Sequence, residues 1–256
     1  MSDLIVRSVA DGVMTVRINR PEKKNALTVA MYDGLSQAIA AAEGDDAVRV
    51  LLLTGTDGVF SAGNDIMDFL QWPPFDESSP VVQFLMNLTQ ARKPIVAAVQ
   101  GPAVGIGTTM LLHCDLVYAG AGTRFQLPFV NLGLVPEAGS SVILPAGFGY
   151  QRAAELLMLG EPFDAQTAQA AGFVTAIYPD DEVSAVAAAV AGQLAAKPPQ
   201  AVRLTKALLK RATAPAVSEA IQVESGHFAA LLQSPEAEEA FTAFMERRKP
   251  DFSRFV

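Results

Sequence analysis

A glycine-rich segment of this 256-residue chain carries the residue types that stabilise a negative oxygen. Residues 101–110 (Gly-Pro-Ala-Val-Gly-Ile-Gly-Thr-Thr-Met) follow an apolar, β-branched run at 94–99 and lead into small and apolar residues. This order predicts a buried strand, a tight turn and a buried helix. Glycine lets bare backbone approach a ligand, and the first N–H groups of a helix have no partner within it. Such N–H groups, with the positive end of the helix dipole behind them, favour negative charge.

The turn alone does not identify a ligand. A dinucleotide-binding fingerprint fits poorly, because Gly105-x-Gly107 is followed three residues later by Met110 rather than by glycine. A phosphate-binding P-loop fits no better, since no Gly-Lys-Ser/Thr follows. A strand-to-helix connection without any ligand therefore stays open on the turn alone.

Histidine, cysteine and serine offer no better-placed chemistry. His113 and Cys114 are adjacent on a predicted helix and so point about 100° apart, which spoils a nucleophile–base pair. His227 is isolated in a predicted tail helix, so the two histidines have no metal-ligand spacing and no metal site is expected. Ser61 lacks the Gly-x-Ser-x-Gly pattern of a hydrolase nucleophile.

The composition excludes several classes of partner. Lys plus Arg number 19 against 27 Asp plus Glu, and without a basic tract nucleic acid is not expected as a partner. The nearest local positive patch is formed by Arg20, Lys23 and Lys24. The single cysteine fits a reducing compartment. We find no signal-peptide pattern and no apolar run of about eighteen residues, so we expect a cytoplasmic protein without membrane association.

Strands alternate with helices along most of the chain, and helices alone fill its last part. A hairpin is predicted over 4–19 with Asp11-Gly12 at its turn, followed by a helix from Thr28 to about Glu43. Further strands are predicted at 48–54, 94–99, 116–119 and 173–177, and further helices at 81–91, 150–159, 164–171, 181–196, 200–211, 215–232 and 235–247. This order predicts an α/β core over 1–196 and a helical region over 197–256.

Four segments read together resemble the crotonase family, the enoyl-CoA hydratase/isomerase superfamily. They are 25–28 (Asn-Ala-Leu-Thr), 60–66 (Phe-Ser-Ala-Gly-Asn-Asp-Ile), 101–107 (Gly-Pro-Ala-Val-Gly-Ile-Gly) and 134–139 (Leu-Val-Pro-Glu-Ala-Gly). In order and spacing the resemblance covers nearly the whole chain. It implies a crotonase-like spiral of ββα units that binds acyl-CoA thioesters, followed by a C-terminal helical trimerisation region.

The resemblance also implies an oxyanion hole. In this family two backbone N–H groups hold the enolate-like oxygen of the thioester, and by motif position they belong to Asn64 and Ile106. One preorganised donor of this kind contributes roughly 3 kcal/mol in the transition state. The Asn64 position usually carries a small apolar residue in hydratases, but the role uses only the main chain and is therefore kept.

Coenzyme A is implied as part of the substrate, and no separate cofactor is expected. Ile106 is placed at the thioester, and the resemblance places the CoA moiety along Lys24, Ala26, Ala62, Asn64, Asp65 and Ile66. Part of this contact is made by the backbone, so the side-chain types at these positions say little about CoA binding. For Lys23 and Lys24 an ordinary solvated loop is an equal alternative.

The two acidic residues of the hydratases are missing from their positions. One position lies three residues after the second oxyanion donor and is Thr109 here, and the other is Phe129. Adding water across a double bond requires groups that hold, activate and protonate the water. Ordinary hydratase activity is therefore the less expected alternative.

Glu137 stands where the peroxisomal-type Δ3,Δ2-enoyl-CoA isomerases carry their single catalytic glutamate. By this resemblance its carboxylate removes a C2 proton from a 3-enoyl thioester and returns that proton to C4. Apolar neighbours such as Phe129, Leu134 and Val135 would raise its pKa toward neutrality. From position alone Glu137 is only a carboxylate near a helix N-terminus, but the motifs around it favour catalysis.

Two other functions stay open. One is a different crotonase-type reaction, either a hydration or an isomerisation of a ring or branched acyl group, that uses the same donors. The other is a non-catalytic acyl-CoA-binding protein. The loop at 71–80 and the helix after it are predicted to line the acyl side. A homotrimer or a dimer of trimers is expected from the family resemblance.

Overall fold

The computed structural model describes residues 4–69 and 78–255, so most of the loop predicted at 71–80 lies outside the described residues. The strands are β1 (Ile5–Ala10), β2 (Val13–Ile18), β3 (Val50–Thr54), β4 (Ile95–Val99), β5 (Pro102–Val104), β6 (Leu116–Gly120), β7 (Arg124–Gln126), β8 (Phe163–Asp164) and β9 (Ala176–Tyr178). The helices are α1 (Val29–Gly44), α2 (Ile66–Phe69), α3 (Pro80–Gln90), α4 (Ile106–Thr109), α5 (Ser140–Phe148), α6 (Tyr150–Ala154), α7 (Ala165–Ala170), α8 (Val183–Ala195), α9 (Pro199–Lys210), α10 (Ala214–Leu231) and α11 (Pro235–Glu246).

The strands form a large sheet and a small one. The large sheet has the order β1-β2-β3-β4-β6-β9, in which β1 and β2 are antiparallel and the later neighbours are parallel. The small sheet has the order β5-β7-β8. Successive strands divide between the sheets, because β4 and β6 lie in the large sheet while β5 and β7, which directly follow them, lie in the small one. This repeated arrangement is the predicted α/β spiral of ββα units.

The central strands of the large sheet are buried on both faces. In β3, Leu51 and Leu53 belong to the main hydrophobic core, whereas Val50 and Leu52 belong to a second cluster that includes residues of α8. Side chains alternate across a strand, so an uninterrupted apolar run fills two layers at once. The buried-strand prediction for 48–54 is confirmed, with β3 beginning at Val50.

Local signals predicted several helix starts correctly. The Thr28 side chain accepts a hydrogen bond from the Met31 N–H at 3.3 Å and begins α1. Asp164 likewise accepts from the Thr167 N–H at 2.8 Å at the start of α7. An N-cap oxygen satisfies an N–H group that has no partner within its helix.

Three elements differ from the sequence-based prediction. Part of the segment read as a turn before Ile106 is the strand β5, because Pro102–Val104 finds a pairing partner in β7. The buried helix from Ile106 is the single turn α4 followed by a 3₁₀ turn at Met110–His113, because the chain must re-enter the sheet at Leu116. The strand predicted at 173–177 is β9, shifted to 176–178, where it pairs with β6.

The C-terminal helices complete the main core. Phe228 of α10 and Phe241 of α11 are buried in the same cluster as the residues of the central sheet. Lys206 of α9 is buried and forms an ion pair with Asp115 at 2.7 Å. The division of the chain at 196 stays a prediction. Among the described helices, none combines the length and apolar content needed to cross a bilayer.

Candidate active site

The loop at 20–27 and the loop at 61–66 are joined by backbone hydrogen bonds. The Ala62 N–H donates to the Lys24 carbonyl at 3.0 Å, and the Leu27 N–H donates to the Gly63 carbonyl at 2.8 Å. The Asp65 N–H in turn donates to the Leu27 carbonyl at 2.8 Å. These bonds bring together two adjoining segments, 20–27 and 61–66, the second of which ends at the first residue of α2. The two segments contain all the residues predicted along the CoA moiety: Lys24, Ala26, Ala62, Asn64, Asp65 and Ile66.

Arg20 ties the two loops together and is therefore not available as part of an open positive patch. Its guanidinium donates to the Asp65 carboxylate at 2.7 Å and to the Ala26 carbonyl at 3.0 Å. Lys23 and Lys24 are exposed. The structure thus separates the patch predicted from the sequence into one structural cation and two exposed ones.

Asn25 supports the same loops from within. It is fully buried and adopts a left-handed conformation with φ of 55°, which asparagine tolerates better than most residues. Its side-chain amide donates to the Val59 carbonyl at 2.6 Å. The Ser61 hydroxyl donates to the Asn25 carbonyl at 2.9 Å and accepts from the Gly63 N–H at 3.2 Å. Ser61 therefore shapes the turn that leads to Asn64.

The N–H groups of Asn64 and Ile106 lie on two turns that are joined by a β-bridge. Ser61 pairs with Ala103, and the Val104 N–H donates to the Ser61 carbonyl at 3.0 Å. Within the described residues, neither the Asn64 N–H nor the Ile106 N–H donates to a protein acceptor. Two such N–H groups on adjoining turns are suited to hold a thioester oxygen as charge develops on it.

The two turns approach so closely that glycine is required in both. A Cβ atom on Gly63 would lie 2.8 Å from the Val104 carbonyl oxygen. A Cβ atom on Gly107 would lie 2.8 Å from the Ser61 carbonyl oxygen. The atoms contacted are backbone atoms, which cannot move aside as the end of a flexible side chain can. Any larger residue at these positions would therefore push the two turns apart.

Glu137 lies in the turn before α5 and directs its carboxylate to the turn that contains Ile106. The hydroxyl of Thr109, which is buried in α4, donates to Glu137 Oε1. The position at which hydratases carry an acid is thus occupied by the hydrogen-bond partner of Glu137. Sequence reasoning identified both positions but not this contact.

Burial raises the pKa of Glu137 to about 8, the Thr109 hydrogen bond lowers it in part, and the negative charge of Glu224 raises it further. The prediction of a raised pKa is therefore confirmed. A carboxylate with this pKa is a stronger base than an exposed one, yet is still ionised in part near neutral pH.

The N-terminus of α5 does not need Glu137 as a cap. Both oxygens of the Glu224 carboxylate, which comes from α10, already bind there: Oε2 accepts from the Gly139 N–H at 2.6 Å and Oε1 from the Ser141 N–H at 2.9 Å. This weakens the alternative in which Glu137 only complements the helix dipole. Nothing in the sequence around Glu224 indicated this role, since it lies on a tail helix.

Tyr32 is a second site residue that sequence reasoning missed. Its phenol, buried in α1, donates to the Asn64 side-chain oxygen at 2.5 Å, and its ring packs edge-on against Phe84 at 5.5 Å. Burial, and secondarily the charge of Glu137, raises the pKa of Tyr32 well above its ordinary value. The phenol therefore keeps its proton and holds the Asn64 side chain in place.

His113 and Cys114 do not act as a pair, as predicted. The His113 Nε2–H donates to the Ala138 carbonyl at 2.7 Å, whereas the Cys114 thiol faces the Met110 carbonyl at 3.7 Å. Burial lowers the pKa of His113 to about 4, so its ring is neutral. Across residues 4–69 and 78–255, no group of three or more His, Cys, Asp or Glu is placed to hold a metal ion.

Comparison with known proteins identifies the family to which this chain belongs. The family model "Enoyl-CoA hydratase/isomerase" matches residues 8–254. The chain belongs to the enoyl-CoA hydratase/isomerase family. A solved structure of an enoyl-CoA hydratase/isomerase from Pseudoalteromonas atlantica T6c is 39% identical and matches with a TM-score of 0.93, covering 98% of this chain and all of that chain.

Relatives within the enoyl-CoA hydratase/isomerase family differ in the reaction they are named for. The 2,3-dehydroadipyl-CoA hydratase of Escherichia coli K12 is 33% identical over 98% of this chain and 99% of its own length. The human enoyl-CoA delta isomerase 2 is 34% identical over 82% of this chain and 55% of its own length. Family membership therefore makes this chain a hydratase/isomerase-type enzyme, and the reaction must be inferred from its own residues.

Proposed function

We propose that this enzyme is a Δ3,Δ2-enoyl-CoA isomerase that uses Glu137 as its only acid–base group. One observation carries the proposal: the Glu137 carboxylate has a raised pKa and accepts a hydrogen bond from Thr109. Thr109 is the residue at the first hydratase acid position. That carboxylate lies beside turns whose Asn64 and Ile106 N–H groups have no acceptor among the described residues. The substrate brings its own CoA, and we infer no further cofactor.

The reaction needs one base and an oxyanion hole. The Glu137 carboxylate removes a proton from C2 of the 3-enoyl thioester, and the electron pair of that C–H bond moves into the conjugated system to form a dienolate. The Asn64 and Ile106 N–H groups hold the dienolate oxygen. The Glu137 carboxylic acid then returns the proton to C4, which leaves a 2-enoyl thioester and restores the carboxylate.

Hydration is disfavoured because no second acid occupies the site positions. Thr109 and Phe129 replace the two hydratase acids, and both side chains are buried. Glu224 is the carboxylate whose charge acts on Glu137, but its two oxygens already accept N–H groups of α5. A group engaged in this way is a poor candidate to position and activate a water molecule.

Turnover of trans-3-hexenoyl-CoA tests the proposal directly. Formation of the conjugated 2-enoyl thioester is followed by its ultraviolet absorbance, and a parallel assay follows loss of that absorbance when crotonyl-CoA is hydrated. We expect isomerisation to be the faster reaction by far. Hydration faster than isomerisation would contradict the proposal, and tight binding without either reaction would favour an acyl-CoA-binding protein.

The pH dependence of the isomerisation should report the ionisation of Glu137. Only the ionised carboxylate accepts the C2 proton, so kcat/KM should rise with pH and level off above about 8. Thr109→Val removes a hydrogen bond that lowers this pKa, so the midpoint should move to higher pH. Thr109→Ser keeps the hydroxyl and is the matched control. A wild-type midpoint near 4.5, the ordinary glutamate value, would contradict the assignment of Glu137 as the base.

We also infer that the enzyme is a homotrimer or a dimer of trimers. Leu204, Leu208 and Leu209 of α9 are 56%, 68% and 78% exposed, and such a group of exposed apolar side chains is typical of an interface. The double substitution Leu208→Glu and Leu209→Glu should lower the mass measured by light scattering to that of one chain. Val9→Glu, which also places a charge at an exposed apolar position but in β1, should leave the mass unchanged. A wild-type protein that is already monomeric would contradict the inference.

A further inference from the structure

We propose that Glu224 of α10 is a positioning residue for Glu137, so that the C-terminal helical region helps to set the reactivity of the base. The inference rests on the role proposed for Glu137. It assigns an influence on the chemistry, exerted through Glu137, to a tail residue that lies outside every motif that pointed to the site.

Glu224 contacts the backbone that follows Glu137 through both of its carboxylate oxygens. Glu224 is only 6% exposed, and it accepts the Gly139 N–H at 2.6 Å and the Ser141 N–H at 2.9 Å, each on a different oxygen. A charged acceptor with two donors forms short and strong hydrogen bonds. A glutamine has one carbonyl oxygen and one NH₂ group, so it cannot accept at both positions.

The turn that Glu224 holds is a strained one. Ala138 and Gly139 directly follow Glu137, and both adopt left-handed conformations, with φ of 60° and 73°. A left-handed alanine is unfavourable and persists only where the surroundings over-determine it. His113 fixes the Ala138 carbonyl on one side, and Glu224 fixes the N–H groups of Gly139 and Ser141 at the helix start on the other. Together they fix the backbone from which the Glu137 side chain projects.

Helix α10 lies directly against this turn. A Cβ atom on Gly139 would come within 2.9 Å of Val217 Cγ1 and 3.5 Å of Ile221 Cγ1, both on α10. The close packing of α10 leaves no room for a side chain at position 139. It also brings Glu224 of α10 within hydrogen-bond distance of the backbone at the start of α5. A displacement of α10 would therefore move the turn as well.

Glu224 also acts on Glu137 through its charge. Besides Glu224, the described groups around Glu137 are the Thr109 hydroxyl from α4, the Tyr32 phenol from α1, and neutral His113 beyond Ala138. Glu224 is the one whose negative charge raises the pKa of Glu137. Removal of that charge should therefore make Glu137 a weaker base that ionises at lower pH.

Glu224→Gln tests both effects. The ionisation of Glu137 is followed by the infrared carbonyl stretch of its protonated carboxyl group, identified as the band lost in Glu137→Gln. We expect the midpoint of this band to fall in Glu224→Gln, and kcat for trans-3-hexenoyl-CoA to fall by about tenfold with KM nearly unchanged, since positioning acts on the chemical step. Glu224→Asp keeps the charge but is one methylene shorter, so kcat should fall while the midpoint stays high.

Glu239→Gln is the matched control in the tail. Glu239 of α11 is a carboxylate that is 5% exposed and pairs with Arg248 and Arg254, away from the Glu137 turn. Its replacement should lower the melting temperature but leave the Glu137 midpoint and kcat unchanged. The proposal is overturned if Glu224→Gln behaves in the same way as this control. If the wild type does not convert 3-hexenoyl-CoA, the isomerase function fails, whereas the infrared midpoint still decides whether Glu224 acts on Glu137.

Discussion

Glu137→Gln is expected to lower the isomerisation of trans-3-hexenoyl-CoA by at least ~100-fold, because a positioned acid–base group contributes roughly 10²–10⁴ to a rate. Glutamine has nearly the same shape and keeps an oxygen that accepts the Thr109 hydroxyl, which donates to Glu137 in the wild type. It cannot take up the C2 proton. The loss should fall on kcat, while KM changes little, and steady-state kinetics with the hexenoyl substrate measures both.

Thermal unfolding provides the control for folding. The folded-state pKa of Glu137, about 8, lies above its ordinary value of 4.5. The stability contributed by the protonated carboxyl is therefore complete below the ordinary pKa and is lost as the pH rises toward 8. Glu137→Gln does not ionise, so it should unfold at a higher temperature than the wild type at about pH 9 and at a similar temperature at about pH 4. An inactive variant that is also less stable at high pH would contradict this account of the site.

Gly107→Ala is expected to reduce kcat about 100-fold, since a displacement of about 1 Å in a catalytic group has an effect of this size. The added Cβ would lie 2.8 Å from the Ser61 carbonyl oxygen, so the turn that carries Ile106 must move away from the turn that carries Asn64. The two oxyanion donors would then no longer converge on one oxygen. Both kcat and the affinity for a CoA thioester should be measured, because only the first is expected to change greatly.

Gly192→Ala in α8 is the matched control for this substitution. A Cβ atom there would meet no atom within 4 Å, and alanine favours the helix over glycine. This variant should keep wild-type kcat and be slightly more stable. Full activity in Gly107→Ala would show that the close approach of the two turns is not needed for the oxyanion hole.

Local signals in the sequence were sufficient where a few neighbouring residues decide the structure. Thr28 and Asp164 cap their helices as predicted, and the β3 run is buried. Local signals were insufficient for β5, because its three residues form a strand through pairing with residues distant in the chain. These partners are β7, more than twenty residues later, and Ser61, in a loop well before β5. Glycine and proline around such a short strand dominate any local reading.

The sequence by itself determined the family resemblance, the two glycine-rich turns and the position of Glu137, because each depends on residue types at fixed spacing. Only the tertiary structure decided the surroundings of that carboxylate. The Thr109 hydroxyl, the Tyr32–Asn64 hydrogen bond and the Glu224 carboxylate reach the site from separate elements of the chain. Burial among these groups raises the pKa of Glu137, and burial is a property of the packed fold that no short stretch of sequence contains.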